Sequence, residues 1–87
     1  MKSEQVVRDL IAKNVRGFRE QLGVSQEKLA EYADLHRTFV GFIERAERSI
    51  TVHTLFKLAK GLSVSPADLV TKDSYLNVII ETPKSKK

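Results

Sequence analysis

Apolar positions along the chain first recur every three or four residues. Val7, Ile11, Val15, Phe18 and Leu22 form one stripe, Leu10 widens it, and Arg8, Lys13, Arg16 and Glu20 lie off it. This spacing predicts an amphipathic helix over residues 4–22, closed by Gly23, which readily turns left-handed where a helix ends. The stretch Ser25–Ala46, SQEKLAEYADLHRTFVGFIERA, then carries two shorter periods. Ser25 is a good N-cap, and Leu29, Ala30 and Ala33 share one face until Asp34 breaks the run and Leu35 turns inward. A third helix begins near Arg37 with Val40 and Ile43 as its buried pair, and the small Ala30 lets it cross closely over the second. Helices so short, joined by a corner of three or four residues, must cross steeply. That is the geometry which sets a second helix into a DNA major groove. Spacing alone does not separate it from any other pair of amphipathic helices joined by a turn.

Further on, Thr51 looks like an N-cap, with Val52, Leu55, Leu58, Ala59 and Leu62 on one face of a fourth helix. Gly61 inside that helix costs about 1 kcal/mol against alanine, and close packing is its expected use. Ser65 and Pro66 open a short fifth helix: serine caps, proline takes the first position, and Asp68 can return the bond. Leu69 and Val70 form its buried or interfacial side. The pattern therefore predicts an all-α, five-helix domain over residues 1–71 and an extension over residues 72–87. Within the extension, YLNVIIET (Tyr75–Thr82) fits both a helix and a strand; its β-branched residues favour the strand. A lone strand needs a partner, most simply its twin across a twofold axis. Leu69, Val70, Leu76, Val78 and Ile80 are thus the expected dimerisation residues. Pro83 ends the segment, and the final KSKK is expected to be disordered.

Composition narrows the picture without changing it. With 87 residues there is room for one domain, and 41% hydrophobic with 30% charged residues is ordinary for a globular chain. No cysteine is present, which removes disulfides and thiolate chemistry. No apolar run approaches a membrane span and MKSEQVVRDL lacks a signal-peptide core, so the cytoplasm is the expected address. The net charge is +4, of which Lys72, Lys84, Lys86 and Lys87 less Asp73 and Glu81 put +2 in the last sixteen residues. The rest of the chain carries only +2, so charge by itself is weak evidence for nucleic acid.

For an enzyme the inventory is poor. His36 and His53 are the only histidines, neither with a catalytic partner at recognisable spacing, and no phosphate loop, metal-ligand cluster or nucleophile elbow is present. No catalysis, metal or cofactor is expected.

The segments LGVSQEKLA, LHRTFVGFIERAERS and LFKLAKGLSVSPADL together resemble the phage-repressor and Cro-like (XRE-type) helix-turn-helix family over roughly residues 11–70. Gln26 after the N-cap, the IER segment Ile43–Arg45 and the SP-x-x-L of Ser65–Leu69 fall at the family's spacing. Within that family LHRT-F-V-x-x-IER-x-x-R-S looks like restriction–modification controller proteins. The family pattern pairs Arg19 with Glu44, which would lock the first helix to the third. It often has glycine where Ala46 stands; alanine enters the left-handed region at a cost, so the third helix is expected to run on through Glu47 or Arg48. Ile50 is either a turn hydrophobe or part of a subunit contact.

For DNA binding the residues sort into two roles. Expected base readers are Arg37, Thr38, Phe39, Gly41 and Phe42 on the exposed front of the third helix. Arg37 can fork onto guanine O6 and N7 or take a phosphate; Phe39 can meet thymine methyls or pack. Phe42 can stack in the groove, tuck beside the first helix, or do neither; Gly41 permits close approach. Expected phosphate contacts are Gln26, His36 (as cap or contact), Arg45, Arg48, Ser49, Thr51 and His53, several of them at helix starts that favour an anion. The resemblance implies a homodimeric transcriptional regulator on a palindromic double-stranded operator, with restriction–modification genes, its own included, as targets. RNA polymerase or another protein is a further partner it allows. An antitoxin, or a protein-interaction module using the motif as scaffold, are the competing readings.

Overall fold

A computed structural model of the chain describes residues 2–76. Five helices follow in order: α1 (Lys2–Leu22), α2 (Gln26–Ala33), α3 (Arg37–Glu44), α4 (Val52–Leu62) and α5 (Pro66–Leu69), then a 3-10 turn at Ser74–Leu76. The described residues contain no strand, and the all-α reading holds. Val78 and Ile80, with the rest of residues 77–87, lie outside the described part; the start of the ambiguous segment, Tyr75 and Leu76, is 3-10 turn.

The helix starts are made as their side chains dictate. Ser25 accepts from the Lys28 N–H, Thr51 from the Thr54 N–H, and Ser65 and Asp68 exchange both bonds of a capping box with Pro66 behind the cap. The ends use left-handed residues: Gly23, Asp34 and Ser63 all have positive φ.

Ala46 corrects one expectation. It adopts φ +59°, and α3 stops at Glu44 instead of continuing. Two backbone bonds impose the turn, Ala46 N–H to Ile43 O at 3.0 Å and Glu47 N–H to Phe42 O at 2.9 Å. Arg16 also caps the free Glu44 carbonyl at 3.0 Å, and Ile50 packs against the core beyond the turn. Together these outweigh the roughly 1–2 kcal/mol that alanine loses there.

Val15, Phe18, Leu29, Val40, Ile43, Leu58, Leu62 and Leu69 form the centre of the core. Two residues on the expected stripes lie outside it: Val7 is 49% and Val52 70% exposed. Both have the right helical phase but sit near the starts of α1 and α4, Val7 in the second turn of its helix and Val52 at the first position of its own, where the core does not enclose them. Of the pair on α5, Leu69 is fully buried and so cannot serve a subunit contact, whereas Val70 is exposed. Gly61 fulfils its expected use, since a Cβ there would stand 3.0 Å from the Cβ and N of Ala33. This close approach seats α2 on α4.

Two polar residues inside the body were not read from the sequence. Asn14 is wholly buried and its amide donates to the carbonyls of Leu69 (3.0 Å) and Thr71 (2.9 Å), tying α1 to the end of α5. Ser74 is buried and donates to the Asp68 carbonyl. Beside it the Tyr75 ring meets Phe18 edge-on at 6.3 Å, so residues 72–76 fold back along α1.

Candidate nucleic-acid interface

Asp34 ends α2 at positive φ, the Leu35 N–H returns to Ala30 O at 2.9 Å, and α3 departs at once. His36 caps α3, its Nδ1 accepting from the Thr38 N–H at 3.1 Å. The cap therefore needs an imidazole whose Nδ1 carries no proton. The fronts of α2 and α3 border a concavity whose wall includes Ser25, Gln26, Glu27, Arg37, Thr38, Gly41 and Arg45.

Behind this concavity lies Glu44, 3% exposed. Its carboxylate accepts from Arg19 Nε at 2.6 Å and Nη2 at 3.0 Å, the two-pronged form of an arginine–carboxylate pair. The hydrogen bonding of Arg19 to the Glu44 carboxylate is the main cause that raises the Arg19 pKa, against the opposing effect of burial. Arg19 also donates to Val24 O at 2.9 Å. The same carboxylate takes the Gln26 amide at 2.9 Å. One buried acid thus fixes α1, the front of α2 and α3 relative to one another.

Arg37 and Thr38 are exposed at the front of α3, and Arg37 Nη1 donates to Glu27 at 3.2 Å. Phe39 is half-buried against the core. Gly41 departs from its expected exposed position. It is buried, with Arg45 Nη1 3.2 Å and Gln26 Oε1 3.7 Å from where a Cβ would stand. Helical side chains lean toward the N-terminus, so Arg45, four residues on, covers the glycine. Phe42 is half-buried and carries two cations, the Arg48 guanidinium at 4.6 Å and that of Arg45 at 5.3 Å from the ring centre. Arg45 also pairs with Glu47 at 3.1 Å.

The rim beyond α3 holds the remaining candidates. Ser49 accepts from Arg8 Nη1 at 3.0 Å, Thr51 is engaged as the α4 cap, and His53 is exposed in the first turn of α4. Val70 and Leu76, outside this rim, are exposed at 46% and 67%.

Glu27, Arg8, Arg16 and Asn14 were missed. Asn14 had a signal, a polar residue in phase with the α1 stripe. Arg8 and Glu27 had none, because their partners lie 41 and 10 residues away. Among the described residues no group of His, Cys, Asp and Glu could hold a metal. No described helix is long and apolar enough to cross a membrane.

A helix-turn-helix family model matches residues 15–69. The control protein C.SmaI of Serratia marcescens is 44% identical over 71 residues, covering 82% of this chain and 84% of that protein. The crystal structure of the hypothetical transcription factor NHTF from Neisseria matches with a TM-score of 0.77 at 35% identity, covering 85% of each chain. That of the restriction-modification controller protein C.AhdI from Aeromonas hydrophila matches with a TM-score of 0.69 at 34% identity, covering 71% of this chain and 94% of that one.

Proposed function

The chain belongs to the XRE-type helix-turn-helix family of transcriptional regulators, and from that premise we propose that it binds a palindromic DNA operator as a homodimer and controls restriction–modification genes, its own among them. The observation that carries the reading is the exposed front of α3, with Arg37 and Thr38 beside the Gln26 amide that Glu44 holds. A helix entering the major groove presents its first residues to base edges while its neighbour's start meets the backbone. Arg37 and Thr38 are the base readers, and the exposed part of Phe39 lies against a thymine methyl. Gly41 and Phe42 act one step back, the first by letting Arg45 fold over it and the second by supporting Arg45 and Arg48.

Phosphate contacts then fall to Gln26, Arg45, Arg48, Ser49, Thr51 and His53, with His36 keeping the start of α3 in shape. A single module of this kind offers roughly 600–1,000 Å² to DNA. Two modules on half-sites about 34–36 Å apart, or a multiple of that, reach specific affinity where one does not. The likeness to C.SmaI and C.AhdI supports restriction–modification genes as the target.

Selection of duplexes from a randomised library tests this directly. The expected result is a partly palindromic site, bound by two chains, with affinity that falls steeply as salt rises. Recovery of no preferred sequence, together with binding to a co-purifying protein, would replace the reading with a protein-interaction module.

A further inference from the structure

Glu27 is the second residue of α2 and lies in the concavity that Arg37, Thr38 and Gln26 also border. Its Oε2 is 3.2 Å from Arg37 Nη1, with the two side chains 72% and 67% exposed. A pair so open to water contributes little to folding. It nevertheless sets the direction of the long cation at the front of α3. The bond to Glu27 takes one N–H of Nη1, and Nε and Nη2 are left to meet a pair of acceptors such as guanine O6 and N7. A carboxylate at this edge also repels phosphate oxygens, which lowers affinity for every duplex regardless of sequence. Arg37 without it would be a free cation that any nearby phosphate could take.

We propose that Glu27 is a positioning residue for sequence specificity: it holds Arg37 in the orientation that forks onto a guanine and keeps it from the DNA backbone. This rests on the reading of α3 as the groove-facing helix. It assigns opposite effects to one side chain, a better fit to the right base and a worse fit to all DNA, and specificity grows from both.

The test compares the wild-type chain and Glu27→Gln on two duplexes of equal length, the one selected by the wild type and one of random sequence. The substitution keeps the shape and removes the charge. Random duplex should bind more tightly, on the order of threefold, while the ratio of selected to random affinity falls on the order of tenfold. Reselection with the variant should relax one position per half-site, the same position that Arg37→Ala relaxes. Adding Glu27→Gln to Arg37→Ala should change the preference no further. An unchanged ratio would overturn the proposal. So would a preference altered at a different position, which would make Glu27 a direct reader of a cytosine amino group. If the wild-type chain selects no duplex at all, the DNA reading itself fails and this proposal with it. Normal selection by the wild type with an unchanged ratio in the variant removes the positioning role alone.

Discussion

Arg19 on α1 and Glu44 on α3, 25 residues apart, meet through two hydrogen bonds of 2.6 and 3.0 Å around a carboxylate that is 3% exposed. Burying such a pair costs both ions their water, and the gain returns only while both are present. Arg19→Ala or Glu44→Ala should therefore destabilise by up to about 3–5 kcal/mol, the limit for a fully buried pair. The double substitution should cost less than the sum of the two. Urea denaturation of the four chains measures the coupling, and strict additivity would show that the contact carries no energy. Because Gln26 shares the same carboxylate, Glu44→Gln should also weaken binding to all duplexes alike.

Ala46 offers the opposite change. It holds a left-handed conformation at φ +59° that glycine enters without penalty. Ala46→Gly removes a cost of about 1–2 kcal/mol and returns part of it through the freer unfolded chain. A net gain of about 0.5–1 kcal/mol in chemical denaturation is the expected outcome. A loss would mean that the alanine methyl makes packing worth more than the strain.

The same residue marks where sequence reading reached its limit. Helix positions, caps and most of the core follow from local rules: Ser25, Thr51 and Ser65 need only their own next few residues to act as caps. The turn at Ala46 does not, because its local backbone bonds are joined by Ile50 reaching the core and Arg16 reaching the Glu44 carbonyl from another helix. Val7 and Val52 failed for a related reason: helical phase says which way a residue points, but not whether anything stands opposite. In the candidate site, Arg37 and Thr38 were legible from the motif. The neighbours that orient the site, Glu27 beside Arg37 and Phe42 beneath Arg45 and Arg48, depend on tertiary placement.

Gly17 gives a sharper test of that tertiary placement. A Cβ built there would lie 2.4 Å from the Tyr75 ring, so the ring can rest on α1 only because residue 17 lacks one. Gly17→Ala should push Tyr75 off Phe18 and destabilise by about 1–3 kcal/mol, as overpacking does. With Tyr75→Ala in place the obstacle is gone, and the same change should instead stabilise by about 1 kcal/mol through helix propensity. A thermal-unfolding cycle of the four chains reads the sign reversal. A loss of equal size in both backgrounds would mean that the tyrosine is not the neighbour that matters.

Tyr75 also decides where the chain can be shortened to examine self-association. Ser74 is buried, Tyr75 packs on Phe18, and Asp73 pairs with Lys13 at 3.2 Å, so a cut after Lys72 removes part of the folded body. A cut after Leu76 leaves all of these contacts and removes only residues 77–87, which carry Val78 and Ile80. The two truncations should therefore separate folding from pairing. The shorter chain should unfold at lower denaturant concentration, while the chain ending at Leu76 should keep the helical circular dichroism of the full protein. If Val78 and Ile80 hold two copies together, the chain ending at Leu76 should sediment as a weaker dimer. Its operator binding should fall with it, because each module alone is held to the site by half the contacts. A dimer of unchanged strength would move the contact to apolar residues still exposed on the remaining body, among them Val52 and Phe56 on α4, Val70 after α5 and Leu76 itself. Phe56→Asp, outside the core and so harmless to the fold, would then be the change that separates the subunits.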